Sequence, residues 1–220
     1  MKIRFTCIFI LFAFVSYSQS KELDTTLYNY VLKSPRTHNF NRLADFLVKD
    51  SQNEKETVEK IYYWICQNIG YDYALSRKFK SSTEQLSVKN ILKNKKTICS
   101  GYSNLFKSFC DYAKIECVII SGKSKQFGGK IAKHAWNAVN IHNKWYLIDN
   151  TWGAGYLTKG GNFERQLEME YLFTNPNDFI IEHFPNDSTF QLLEKPITNN
   201  DFESSSFEIL REKKFKDILD

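Results

Sequence analysis

Residues 134–149 read His-Ala-Trp-Asn-Ala-Val-Asn-Ile-His-Asn-Lys-Trp-Tyr-Leu-Ile-Asp. Apolar and aromatic residues fill both halves, and His142-Asn143 lies between them. Asparagine tolerates a left-handed backbone, so this pair reads as a two-residue hairpin turn. Such a turn fixes the register: Ile141 faces Lys144, Ala138 faces Leu147, Trp136 faces Asp149 and His134 faces Thr151. Opposed residues share a face and side chains alternate with period two. His134, Trp136, Asp149 and Thr151 are therefore expected on one face, with His134 and Asp149 diagonal neighbours roughly 7–8 Å apart at the backbone. An odd-length loop would put them on opposite faces.

Upstream, Thr97-Ile98-Cys99-Ser100-Gly101-Tyr102 follows a lysine-rich turn (Lys93, Lys95, Lys96) and opens a helical run to Ala113. A cysteine there sits at a helix N-terminus, where free N–H groups and the positive dipole end favour a thiolate. Cysteine, then histidine, then aspartate is the set that nucleophilic acyl transfer needs. Cys99 is the expected nucleophile, His134 the general base and acid, and Asp149 the group that orients it. Trp136, Trp152, Tyr71 and Asn137 are candidates for the walls of the site. Lys123, Lys125, Lys130 and Lys133 read as a solvated loop, and His38, His142 and His183 as loop, turn and structural residues.

Between these motifs the chain alternates helices and short strands. Helices are expected before and after Ser34-Pro35. Ser51 with Glu54 reads as a capping box that opens a helix with Val58, Ile61, Ile65 and Ile69 on one stripe, ending at Gly70. Ser82 with Gln85 suggests a second box. Strands are expected at 117–121, 134–141, 144–149 and 169–173, with 122–133 a loop.

The 220 residues carry 18 Phe, 12 Tyr and 4 Trp, enough for one domain with a substantial core. The formal charge is +5, and setting Lys2 and Arg4 aside leaves 28 basic against 25 acidic residues. That excess is too mild to argue for nucleic acid. Lys2 and Arg4, the apolar run 5–15 and a small-residue exit form a secretory signal peptide over residues 1–20, implying a secreted or periplasmic protein without a stable membrane span. A single domain is expected over 21–200, followed by a polar tail over 201–220. Cys66, Cys99, Cys110 and Cys117 are too sparse for a disulfide scaffold, although Cys110 and Cys117 could pair. No CxxC occurs and the histidines are scattered, so neither a metal nor a cofactor is expected.

Taken together, Cys99-Ser100-Gly101-Tyr102, His134-Ala135-Trp136-Asn137, Trp145 to Asp149 and Thr151-Trp152-Gly153 resemble the transglutaminase-like superfamily, nearest its kyphoscoliosis-peptidase-like branch. The resemblance runs from about Glu54 to Pro196 and includes His183-Phe184-Pro185 and Gln191-Leu192-Leu193. It implies an α+β, papain-like core in which a cysteine-bearing helix packs on an antiparallel sheet carrying histidine and aspartate. It also implies an upstream side-chain oxyanion donor, for which Tyr71 and Tyr73 are candidates. Asn150 departs from the Pro or Ala found in many relatives, beside the aspartate rather than on it. The expected activity is hydrolysis or transamidation of amide bonds in proteins or peptides. The alternative is an inactive peptide-binding module on the same fold.

Overall fold

The computed structural model describes residues 22–78, 81–126 and 129–204. The expected leader, and the part of the expected tail beyond Ser204, lie outside the described residues. In chain order the elements are α1 Thr25–Val31, α2 Phe40–Val48, α3 Glu54–Asn68, β1 Gly70–Tyr71, α4 Tyr73–Ser76, α5 Val88–Asn94, β2 Lys96–Thr97, α6 Cys99–Tyr112, β3 Glu116–Lys125 and β4 Ile131–Ile141. They continue with β5 Lys144–Ile148, α7 Asn150–Gly153, β6 Gly155–Leu157, β7 Phe163–Arg165, β8 Leu172–Thr174, α8 Pro176–Phe179, β9 His183–Pro185 and α9 Asn199–Ser204.

An antiparallel sheet in the order β8-β5-β4-β3-β9 forms the centre. Its register is set at the turn: His142 and Asn143 both have positive φ, 51° and 61°. Ile141 pairs with Lys144 and Ala138 with Leu147, as the turn requires. Alternation along β4 then supplies two cores. Val139 and Ile141 join the main cluster with Ile61 and Ile65 of α3 and Leu105, Phe106 and Phe109 of α6. Trp136 and Ala138 point the other way, against Ile120, Leu147 and Phe179. Each aliphatic side chain sealed there contributes about 1.5–3 kcal/mol. The observed α+β architecture is the expected one, with α6 packed against β3 and β4.

Several local expectations need correction. Asn53 caps α3 by accepting from the Glu56 N–H at 2.9 Å, whereas Ser51 accepts from Lys60 Nζ at 3.1 Å. Either residue type can cap, and the nearer one does so. Helix α3 ends one residue early, with Ile69 extended. Gly70 enters β1 and pairs in parallel with Lys96, so it is no C-cap. Ser82 and Gln85 do exchange the two capping-box bonds, at 2.9 and 3.2 Å, but only turns follow; α5 starts later under its own cap, Ser87. Strands β3 and β4 run far into the segment expected to be a loop, because their ladder continues to Lys125–Ile131. Residues 169–171 form a 3-10 turn ahead of the short strand β8. The hairpin ladder stops at Asn137–Ile148, so Trp136–Asp149 and His134–Thr151 are not strand pairs.

Candidate active site

Cys99 is the first residue of α6. The preceding residue, Ile98, makes no side-chain capping bond, so no cap competes for the positive end of the helix. The first turn lies tight on β2: a Cβ on Gly101 would come within 1.9 Å of Thr97 Oγ1. Thr97 in turn pairs with Tyr71 across β1 and β2. Two short parallel strands thus bring Tyr71 to the cysteine-bearing turn.

His134 lies on β4 and is 8% exposed; Asp149 is fully buried. Asp149 caps α7, its Oδ1 accepting from the Thr151 N–H at 2.8 Å and the Trp152 N–H at 3.3 Å. Its Oδ2 lies 2.7 Å from His134 Nε2, the length of a charge-assisted bond. That contact leaves the other imidazole nitrogen for the thiol, and the Cys99 pKa is drawn down by His134 and by the Ala135 backbone. Cys99, His134 and Asp149 are therefore in one contiguous group. Cys99 is the accessible member.

Electrostatics follow from these contacts. Burial raises the Cys99 pKa, but the His134 bond and charge outweigh it, and the thiol ends below its ordinary value. Burial lowers that of His134, yet Asp149 and Cys99 bring it up to about 10. Burial disfavours the Asp149 carboxylate as well, but His134 and then His183 hold it well below the usual carboxylate range. The arrangement favours a thiolate, an imidazolium and a carboxylate in sequence.

The remaining candidates divide. Trp152 stands 5.7 Å from the His134 ring and Trp136 6.0 Å, so both wall it. Tyr71 is half-buried and influenced by Cys99; burial pushes its hydroxyl up to about 12. Tyr73 is exposed, and its hydroxyl accepts from Arg77. Asn137 does not line the site. Its buried amide donates to Ser103 O at 3.2 Å and Val118 O at 3.1 Å, tying β4 to α6 and β3. The lysine cluster is not simply solvated: Lys123 bonds Asn199 and Glu203, and Lys125 is buried over the Phe202 ring of α9.

One site residue escaped the sequence reading. His183 of β9, taken as structural, places Nε2 3.0 Å from the same Asp149 Oδ2. The only pointer in the sequence was its place in His183-Phe184-Pro185, which says nothing of a partner 34 residues upstream. His134, Asp149 and His183 bring ligand atoms within 4.8 Å of one another, a donor set able to hold a cation. Here both imidazoles bond the carboxylate directly, and a cation among them would deprive Cys99 of its base.

Residues 41–150 match the transglutaminase-like superfamily. Kyphoscoliosis peptidase of Mus musculus is 33% identical over 195 residues, which are 85% of this chain and 29% of that protein. The Homo sapiens protein of the same name is 33% identical over 175 residues, 76% of this chain and 26% of its own. The chain thus spans less than a third of either relative. A solved arylamine N-acetyltransferase of Bacillus cereus superposes with a TM-score of 0.41 at 20% identity, over 53% of this chain and 50% of that one.

Proposed function

The chain belongs to the transglutaminase-like superfamily, in its kyphoscoliosis-peptidase-like branch, and from that premise we propose that it is a cysteine-dependent acyl-transfer enzyme acting on amide bonds of proteins or peptides. One observation carries the reading: a thiol at a helix start is electrostatically coupled to a buried imidazole that bonds a buried carboxylate at 2.7 Å.

Cys99 passes its proton to His134, and the thiolate attacks the amide carbonyl carbon. The C–S bond forms as the carbonyl π pair moves onto oxygen. Tyr71, protonated up to about pH 12, donates to that oxyanion. The imidazolium then protonates the amide nitrogen as the C–N bond breaks, leaving a thioester on Cys99. A water molecule or primary amine loses its proton to His134 and attacks the thioester, and the sulfur leaves with the C–S bond pair. Water gives hydrolysis; an amine gives transamidation. Asp149 stays ionised throughout and fixes the imidazole. Trp136 and Trp152 keep water from the His134 ring. The leader-like order of residues 1–20 supports export to a secreted or periplasmic location.

The test is a peptide library incubated with a labelled primary amine and read by mass spectrometry, with Cys99→Ala as blank. Cleavage identifies a peptidase and amine incorporation a transglutaminase. Products equal to those of the blank would mean a binding module.

A further inference from the structure

We propose that His183 is a positioning residue for this group: a neutral imidazole that donates its Nε2–H to Asp149 and keeps that carboxylate ionised and aimed at His134. The inference rests on the acyl-transfer reading, since it assigns a role through Asp149. Its ground is geometric. Two imidazole nitrogens converge on one oxygen, Asp149 Oδ2, at 2.7 and 3.0 Å. The other oxygen takes two backbone N–H groups. Asp149 therefore has four donors, all from within the protein, and no exposure.

The position of His183 is fixed from several sides. It is fully buried. Phe179 stacks on its ring at 4.0 Å and 18°, and the Trp152 and Trp136 rings stand at 4.5 and 5.2 Å. Strand β9 is hydrogen-bonded to β3, with Ser124 opposite His183. Backbone bonds from Lys125 N to Glu182 O and from Asn186 N to Ser121 O bracket the strand at 2.8 and 2.9 Å.

A buried carboxylate facing one imidazolium has two ways to relieve its desolvation: take up a proton or gain donors. A second cation would compete with His134 for the charge of Asp149. A neutral N–H donor stabilises the carboxylate without cancelling it. His183 meets that requirement. Burial lowers its pKa to about 4 against the pull of Asp149 and of the Phe179 backbone. Its Nδ1 has no partner in hydrogen-bond geometry, whereas its Nε2 faces the Asp149 carboxylate at 3.0 Å, which can only accept. The proton it carries is then the Nε2 one, pointed at Asp149.

The other titratable groups facing Asp149 do not supply this function. They are Tyr62 and Cys66 of α3, Tyr71 of β1, Tyr102 and Cys99 of α6, and Tyr171. Burial leaves all of these except Cys99 above their ordinary values, so they stay neutral below pH 9; at Cys99 the influence of His134 outweighs burial. Glu182 faces Tyr171, whose hydroxyl it accepts at 3.1 Å.

The role separates from plain packing by experiment. His183→Phe keeps a flat ring against Phe179 and Trp152 but removes the donor. His183→Gln places an amide N–H near the Nε2 position. Both are compared with the unaltered protein by the rate of Cys99 alkylation with iodoacetamide across pH, Cys99→Ala serving as blank. Without its donor, Asp149 takes up a proton at higher pH, and the thiolate–imidazolium pair collapses sooner on acidification. The acid limb of His183→Phe should move up by about one pH unit, roughly tenfold in rate on that side. His183→Gln should restore most of it. An unmoved limb in a folded His183→Phe protein overturns the proposal, even if thermal stability falls.

A second measurement needs no variant. Imidazole nitrogen NMR of the unaltered protein should show His183 as the Nε2–H tautomer, unchanged from about pH 5 to pH 8. The Nδ1–H tautomer, or a midpoint in that range, overturns the proposal. An ordinary thiol titration for Cys99 in the unaltered protein would instead remove the acyl-transfer reading itself.

Discussion

His134 and Asp149 meet at 2.7 Å although the β4–β5 ladder ends one residue before Asp149. The contact exists because the strand stops there. Asp149 donates its backbone N–H to Tyr171 O at 2.9 Å and becomes the cap of α7. The cap bonds pin one carboxylate oxygen and leave the other for imidazole.

Asp149→Asn keeps the shape of this group and removes its charge. His134 then loses the partner that raises its pKa, and the Cys99 thiolate loses its counter-ion. kcat/KM should fall by roughly 10²–10⁴. Activity within a factor of about three of the unaltered protein would show that Asp149 is not the orienting group.

Tyr71→Phe removes a hydroxyl and little volume. If that hydroxyl serves the oxyanion, kcat should fall by roughly 10–10³ while KM stays within about twofold. A change confined to KM would place Tyr71 in substrate binding instead.

Acid stability should follow His183. Its folded pKa, about 4, lies below its unfolded value near 6.5. Between those values the unfolded chain binds one more proton, so stability is full above about pH 6.5 and is lost as pH falls toward 4. Asp149, also depressed, adds loss below the ordinary carboxylate pKa. His134 runs the other way: raised to about 10, it contributes below pH 6.5 and is lost as pH rises through 10. The depressed Cys99 opposes that alkaline slope, which leaves the acid side as the cleaner signal. Urea midpoints of the unaltered protein should fall from pH 6.5 to pH 4, and those of His183→Gln should fall less. Parallel curves would refute this assignment.

Asn137→Leu should cost about 2–4 kcal/mol. It strands the Ser103 and Val118 carbonyls and overfills a buried site. Because Asn137 ties elements together and does not touch the chemistry, the acid limb of Cys99 alkylation should not move. A shifted limb at unchanged stability would contradict its structural role.

Gly101→Ala drives a methyl into Thr97 Oγ1. The expected cost is about 1–3 kcal/mol, and Thr97→Ala in the same chain should recover part of it. Additive losses in the double variant, measured by chemical denaturation, would mean the two residues do not meet.

How far the sequence reached depends on the distance over which each interaction acts. The hairpin was legible because a two-residue turn with Asn143 determines every pair behind it. Cys99 at a helix start was legible from the apolar spacing of Leu105, Phe106 and Phe109. Asn137 was misjudged because its neighbours Trp136 and Ala138 point to the other face, and alternation alone does not say which face meets α6. The lengths of β3 and β4 were underestimated because the lysines of 122–133 read as solvated, whereas α9 supplies partners for Lys123 and Lys125. His183 was out of reach: nothing local to it records that β9 would be laid beside β3.

That last placement bears on where this unit can be cut. A chain ending at Asn150, the limit of the superfamily match, would retain Cys99, His134 and Asp149. It would lack β8 and β9, exposing both flanks of the sheet, and with them the second imidazole bonded to Asp149. The shortest excisable portion able to hold the cysteine in its activated form therefore extends past His183, so the chemistry has a longer footprint than the motif that advertises it.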